Sequence, residues 1–309
     1  MAASPRSRFR MGSAVLQDGR LLSISGSSFT YWTTNLAYNP LTNVFTFLAP
    51  VPSPRMNGGA GVLPDGRVFF LGGYNQAITP LSSMIYYFPS NDTWGNSTPS
   101  AVLTVARSRL AAVVLPDGRI FVAGGINDAT AIVQTTVEIS DANYTRFIQV
   151  APLSSPRAAL SACVMADGNV MVMGGRDTQN RLDYAFDLVE VYNVSSNSWS
   201  ARASLHTPRW GASAFLLPDG RIAVVGGYDG ANAVGTIEFY FQNRNLWVQG
   251  ASMAVPREFG GVGLVLSGVS FCNTAVTPTT WTPPPTCEGS LYPNGRVANG
   301  RIAMSCLYR

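Results

Sequence analysis

LPDGRIFVAGG, Leu115 to Gly125, is the stretch on which the fold turns. Its glycines suggest a cradle for phosphate, but such a loop opens a helix. Here an apolar run, LAAVVL (110–115), precedes the turn and a second, RIFVAGG (119–125), follows it. Two short apolar runs around Pro-Asp-Gly read as a β-hairpin. Pro presets φ at the first turn position, Asp tolerates the next, and Gly supplies the positive φ that closes the turn. LPDGR also occurs at Leu63–Arg67 and Leu217–Arg221, each copy leading to a double glycine. The stretch is therefore a joint used repeatedly.

Working outward, an Arg stands ten residues before each Asp-Gly: Arg8, Arg55, Arg107, Arg157 and Arg209, with Arg257 opening a looser sixth copy. The Arg-to-Arg steps are 47, 52, 50, 52 and 48 residues. That period is too long for ankyrin or tetratricopeptide units and fits a four-stranded blade. A third strand follows a variable loop, as in LVEVYNV (188–194) and TIEFYF (236–241). Seven residues beyond its Tyr stands an aromatic: Tyr38 to Phe45, Tyr87 to Trp94, Tyr192 to Trp199, Tyr240 to Trp247. In the third unit Ser140 and Phe147 take these places, and the second unit carries a three-residue insertion before Arg107.

The ordered set of Arg after Pro, Asp-Gly hairpin, double Gly, Glu-x-Tyr strand and Trp resembles the kelch repeat family over about residues 5–270. Units four and five show all of it, from Pro156 to Trp199 and from Pro208 to Trp247. The resemblance implies an all-β, six-bladed kelch-type propeller of four-stranded antiparallel blades, similar to the central domain of galactose oxidase. It is specific for fold and poorly specific for function, because one scaffold hosts many activities. A single domain over 1–309 is expected, with blades beginning near residues 5, 52, 104, 154, 206 and 254. The Cys- and Pro-containing tail, 272–309, either supplies outer strands of the last blade or leaves the ring to close by another pairing.

Composition narrows the chemistry. Charged residues make up 12% of the 309, about half the usual share, and all 21 basic residues are Arg. They are spread at regular intervals rather than clustered, which argues against nucleic acid. Absent lysine excludes Schiff-base chemistry by this chain. Its one histidine, His206, argues against imidazole metal sites. Copper radical oxidases of the kelch type need two His and two Tyr ligands, which one His does not supply. No cofactor is expected. No apolar run of about 20 residues offers a membrane span, and the basic N-terminus has no apolar stretch behind it to make a signal peptide. Cys163 lies in an apolar run and reads as a buried hydrophobe. A Cys272–Cys287 bridge and glycans at the sequons Asn91, Asn96, Asn143 and Asn193 would both point to an extracellular compartment.

Strand alternation puts the Arg positions and the loops after the double Gly on one rim. Arg55, Arg107, Arg157, Arg209 and Arg257 are read first as braces between blades and second as a cationic ring for carboxylates. The rim loops add Tyr74, Asp128, Asp177, Tyr228 and Asp229 as ligand or partner contacts, the acidic ones also as partners for the Arg ring. Trp210 is a candidate platform for a sugar ring. Arg20, Arg67, Arg119 and Arg221 follow the turns on the opposite face and read as solvated hairpin positions. The first functional reading is a non-catalytic module binding a protein segment or an acidic glycan through rim loops. The alternatives are an enzyme on an anionic sugar, with Glu258 or His206 as acid–base groups, and a structural subunit of an extracellular assembly.

Overall fold

The computed structural model describes residues 10–27, 32–96, 101–178, 184–257, 262–266 and 300–304. Arg8, Glu258, Cys272 and Cys287 lie outside the described residues, as does the side chain of Asn96. Five four-stranded antiparallel sheets follow one another along the chain. Blade 1 holds Gly12–Val15, Leu21–Ile24, Asn35–Asn39 and Val44–Leu48. Blade 2 holds Gly59–Val62, Val68–Leu71, Met84–Phe88 and Thr93–Asn96. Blade 3 holds Ala111–Val114, Ile120–Ala123, Val137–Ser140 and Phe147–Val150. Blade 4 holds Ser161–Val164, Val170–Met173, Val189–Asn193 and Ser198–Ala201. Blade 5 holds Ser213–Leu216, Ile222–Val225, Ile237–Phe241 and Leu246–Gln249.

The first strands of the five blades pack side by side, and Val262–Leu266 lies between those of blades 5 and 1. Six inner strands thus close a ring around a central axis. In the sixth sector the described residues supply two strands, Val262–Leu266 paired with Gly300–Met304. Each inner strand is the terminal strand of its sheet, and the ring leaves these edges short and protected around the axis.

Side-chain size changes across each blade for a steric reason. First strands near the axis are crowded, so they read GAGV, AAVV and SACV. A Cβ on Gly59 would stand 2.5 Å from the Ala112 Cβ of the next blade. Second strands are covered on both faces by neighbouring blades, so VFFL, IFVA, VMVM and IAVV are buried throughout. Fourth strands lie at the outside and are mostly exposed, apart from the Trp at their second position. The core is consequently a set of layers between blades; Phe69, Leu71, Val114 and Val122 share one such layer. Each fully buried Val, Leu or Phe contributes about 2 kcal/mol.

Two devices tie neighbouring blades. The first explains the double glycine. The N–H of Gly125 donates to the Arg157 carbonyl at 2.8 Å, and Gly175 to Arg209 at 2.9 Å. A Cβ on the preceding glycines, Gly124 and Gly174, would sit 2.3 and 2.2 Å from those same carbonyls. Both glycines of each pair also hold positive φ. In blade 1 Ser25 takes the place with φ 56°, and its Oγ accepts the Arg55 N–H at 3.2 Å. The second device explains the Tyr-to-Trp spacing. Trp94, Trp199 and Trp247 donate their indole N–H to the carbonyls of Ala49, Ala151 and Ala203 in the preceding connection. The N–H groups of those alanines donate back to Asp92, Asn197 and Asn245. The same side-chain oxygens accept Tyr87, Tyr192 and Tyr240 hydroxyls. Blade 3, with Ser140 and Phe147, is joined to blade 2 by the apolar Ala101 and Leu103 instead.

Candidate functional site

Arg55, Arg107, Arg157 and Arg209 each stand a few residues before an inner strand, and all four are buried. Arg107, Arg157 and Arg209 have no exposed side-chain surface. Arg107 bonds the Gly124 carbonyl at 3.0 Å, the Thr136 carbonyl at 2.9 Å and the Glu138 carboxylate. Arg209 repeats the pattern with Gly226 and Thr236 at 3.0 Å each and Glu238 at 2.5 Å. Arg157 pairs with Glu190. Burial lowers the pKa of all three, and the paired carboxylates counter it. Their carbonyls meanwhile accept the glycine N–H groups of the preceding blade, so each arginine spans a blade junction.

The partner carboxylates are the Glu of Glu-x-Tyr, not the rim aspartates. Glu138 and Glu238 are completely buried. Glu238 also accepts the N–H groups of His206 at 2.8 Å and Thr207 at 3.1 Å, and Glu138 that of Thr104 at 2.9 Å. Blade 2 lacks both halves of this arrangement. Ile85 replaces the Glu, and Pro52, three residues before Arg55 as Thr104 and His206 are before their arginines, has no N–H to give. Arg55 is left with Ser83, whose carbonyl lies at 3.0 Å and hydroxyl at 3.3 Å. Burial without a carboxylate pushes its pKa down to about 10. Arg257, at the sixth sector, is half-buried.

Among the described residues, the position two beyond each ring arginine turns through left-handed φ: Arg10 59°, Asn57 54°, Arg109 51°, Ala159 54°, Gly211 64°. These residues join in a belt around the mouth. Asn57 donates its N–H to Arg10 at 2.9 Å, Arg109 to Asn57, Ala159 to Arg109 and Gly211 to Ala159, each at 2.7 Å. Below the belt the inner strands enclose a cavity of about 770 Å³. Side chains on the belt are long and polar in blades 1 to 3 and minimal in blades 4 and 5. Arg10 donates to the buried Tyr74 hydroxyl at 3.1 Å. Arg109 pairs with Asp128 at 3.0 Å, and Asp128 also takes the Ser108 hydroxyl at 2.5 Å.

The remaining rim candidates have structural settings of their own. Trp210 is buried, with the Arg176 guanidinium 4.2 Å over its ring and Tyr228 at 5.1 Å. Tyr228 donates its hydroxyl to the Ala231 carbonyl. Asp177 is buried. Asp229 accepts the N–H groups of Ala231 and Asn232 at 2.7 Å each; these bonds, with Arg209 nearby, hold its carboxyl below the usual range. Asn75 and Asn127 cap their loops in the same way, accepting Ala77 and Thr79, and Ala129 and Thr130. His206 is exposed and its Nε2 meets the Trp247 carbonyl at 2.9 Å. Among the described residues no three His, Cys, Asp or Glu side chains gather closely enough to share a metal ion. Cys163 is buried, which pushes its thiol up to about 12.

On the opposite face, Arg20, Arg67, Arg119 and Arg221 each pair at 2.7 Å with the Asp of their own turn. Arg67 lies 4.5 Å over Tyr86 and Arg221 4.9 Å over Phe239. Asn91 and Asn143 are exposed on turns of this face, whereas Asn193 is half-buried and accepts the Ser195 and Ser196 N–H groups. Among the described residues no helix is long and apolar enough to cross a membrane.

No family model matches the chain. Over 134 residues it is 31% identical to galactose oxidase of Gibberella zeae, which covers 37% of this chain and 19% of that protein. Over 77 residues it is 39% identical to Kelch-like protein 4 of Homo sapiens, covering 25% of this chain and 10% of that protein. The chain thus spans less than a fifth of the length of these curated relatives. Among solved structures it superposes on the one titled "Structure of YjhT" with a TM-score of 0.70. That match has 15% identity and covers 84% of this chain and 88% of the other, a likeness of fold alone.

Proposed function

This chain is a kelch-type β-propeller, and from that premise we propose that it is a non-catalytic binding module whose rim loops hold a partner protein. The observation that carries the reading is the build of those loops. Asn75, Asn127 and Asp229 each pin a loop through two backbone N–H groups, so the tips are presented in a set conformation. Ile78, Ile132 and Tyr184 stand on three successive rim loops, 56%, 49% and 54% exposed. The two pinned loops that carry Ile78 and Ile132 lose little entropy when they dock, which is how a modest surface reaches useful affinity. Burying one such tip in a partner pocket contributes about 1–2 kcal/mol. The repeat-defining residues, by contrast, are absorbed by the scaffold: three ring arginines are spent on internal carboxylates and carbonyls.

The test is photo-cross-linking in the source cells. A photoreactive residue at position 78 or 132 is expected to give discrete protein adducts, and one at Arg119 on the turn face none. An Ile78→Asp/Ile132→Asp variant of unchanged unfolding midpoint should lose those adducts. Equal labelling from both faces sinks the proposal.

A further inference from the structure

The sixth sector differs from the other five in its outer half. Among the described residues it holds Val262–Leu266 and Gly300–Met304, so the second of these is a sheet edge where every other blade adds a third strand. The blades on either side are apolar at this level. On a fourth strand the Trp position faces the preceding blade, so the residues flanking it face the following one. In blade 5 these are Leu246 and Val248, 44% and 43% exposed. Blades 2 and 4 have Thr93 with Gly95 and Ser198 with Ser200 there, and blades 1 and 3 have one apolar residue each, Val44 and Ile148. From the other side comes Phe47 of blade 1, 52% exposed, where blades 3 to 5 have Gln149, Ala201 and Gln249. Arg257 belongs to the same sector. Its carbonyl accepts the Gly227 N–H at 2.7 Å, as the other ring arginines accept theirs. Its guanidinium, half-buried, has no partner among the described residues, whereas Arg107, Arg157 and Arg209 are each sealed against a Glu of their third strand.

We propose that residues 286–290 of this chain, which lie outside the described residues, dock in this groove on the open edge of Gly300–Met304 and bring the Glu288 carboxylate to Arg257. Charge complementarity selects the occupant. The braced pairs are separated by 31, 33 and 29 residues, from Arg107 to Glu138, Arg157 to Glu190 and Arg209 to Glu238; Glu288 stands 31 residues after Arg257. It is also the one acidic side chain in residues 259–309. Glu288-x-Ser290 repeats the Glu138-x-Ser140 of blade 3. The register agrees. Val122, Val172 and Val224 of the second strands stand opposite Glu138, Glu190 and Glu238. Counted from the ring arginine through the inner strand, Met304 holds that place in the sixth sector, so Glu288 falls opposite Met304. Nine residues then join Ser290 to Gly300, with Pro293-Asn294-Gly295 to turn the chain between antiparallel strands. The 19 residues 267–285 suffice to return along Val262–Leu266, a run of about 16 Å. An added strand satisfies the edge N–H and C=O groups, and a charge-assisted bond to Arg257 fixes its register.

Hydrogen exchange of the full chain, read by mass spectrometry with the oligomeric state followed by sedimentation, tests the docking. Amides of 286–290 are expected to be protected in the parent as a monomer. Glu288→Gln, which keeps the shape and removes the charge, should speed their exchange at least about tenfold and leave that of blades 2 to 4 unchanged. Arg257→Glu and Glu288→Arg should each release the segment. The charge-swapped double variant, Arg257→Glu/Glu288→Arg, should restore protection to within about threefold of the parent. Free exchange of 286–290 in the parent, no effect of Glu288→Gln, or a double variant no better protected than the singles overturns the assignment. Protection that develops only as the chain dimerises overturns it too, because the groove then belongs to a second copy. If a single variant unfolds, Glu288→Gln and the double variant still decide.

Discussion

Removing the Glu238 carboxylate should be among the most damaging single changes in the chain. Arg209 and Glu238 are both without exposed side-chain surface, 2.5 Å apart. Glu238→Ala strands a guanidinium in the blade and leaves the His206 and Thr207 N–H groups without their acceptor. Breaking a buried pair from one side costs about 3–5 kcal/mol. At about 2.1 cal/mol/K per residue of unfolding entropy, 4 kcal/mol spread over 309 residues lowers the midpoint by about 6 °C. Urea titration followed by near-UV circular dichroism measures the loss, since Trp247 packs in the same blade layer. Arg209→Met/Glu238→Leu removes both charges and fills their volume, so the double variant should lie closer to the parent than either single change. A single-variant cost below about 1 kcal/mol, or a double variant equal to the sum of the singles, would refute the view that these arginines are internal braces.

The missing carboxylate of blade 2 gives the mirror experiment: Ile85→Glu should pair with Arg55 and raise its pKa from about 10, readable by NMR of the guanidinium, although Pro52 withholds the N–H that blades 3 and 5 supply. Gly174→Ala, with φ 62° and a carbonyl 2.2 Å from the new Cβ, should cost at least about 2 kcal/mol in denaturant titration. Gly220→Ala, at φ 83° with nothing within 4 Å, should cost about 1 kcal/mol. Asp92→Asn should be near neutral in thermal melts, because Asn197 and Asn245 do the same work, while Asp92→Ala removes the acceptor of Tyr87 and Ala49 and should cost about 1–2 kcal/mol. For Asp65 and Asp117, partial burial raises the pKa but the bonds and charge of Arg67 and Arg119 outweigh it, leaving both carboxyls low. Their stabilisation is therefore present above the unfolded value near pH 4 and is lost as pH falls through the lower folded pKa. An Asp65→Asn/Asp117→Asn variant should be less stable than the parent at pH 7 and converge with it in strong acid.

The repeat was readable because each blade needs the same local solutions. Asp-Gly closes the hairpin whatever packs around it, and alternating apolar runs mark the strands by their own period. A double glycine at a strand end marks close backbone approach, and Gly124 against the Arg157 carbonyl is that approach. The carboxylate partners were less legible. Asp128, Asp177 and Asp229 stand near the ring in sequence pattern, yet Glu138, Glu190 and Glu238, about 30 residues beyond each arginine, face it across the blade. The signal was present in the exceptions: units one and two keep Arg8 and Arg55 and carry Leu36 and Ile85 where the Glu stands elsewhere. Likewise the residue two before each Trp has no local signature of its role as a junction between blades.

Sequence alone determined the architecture, because period, turn chemistry and strand patterning are local properties that the ring merely repeats. Tertiary structure alone decided which polar groups are spent and which remain available. Whether a guanidinium meets solvent or a buried carboxylate depends on the rotamer and on residues brought across from another strand. Arg107 and Arg109 are two residues apart, yet one is sealed inside a blade and the other borders the central cavity. The same dependence on neighbouring blades leaves the Asn57 amide buried at the mouth with no partner among the described residues.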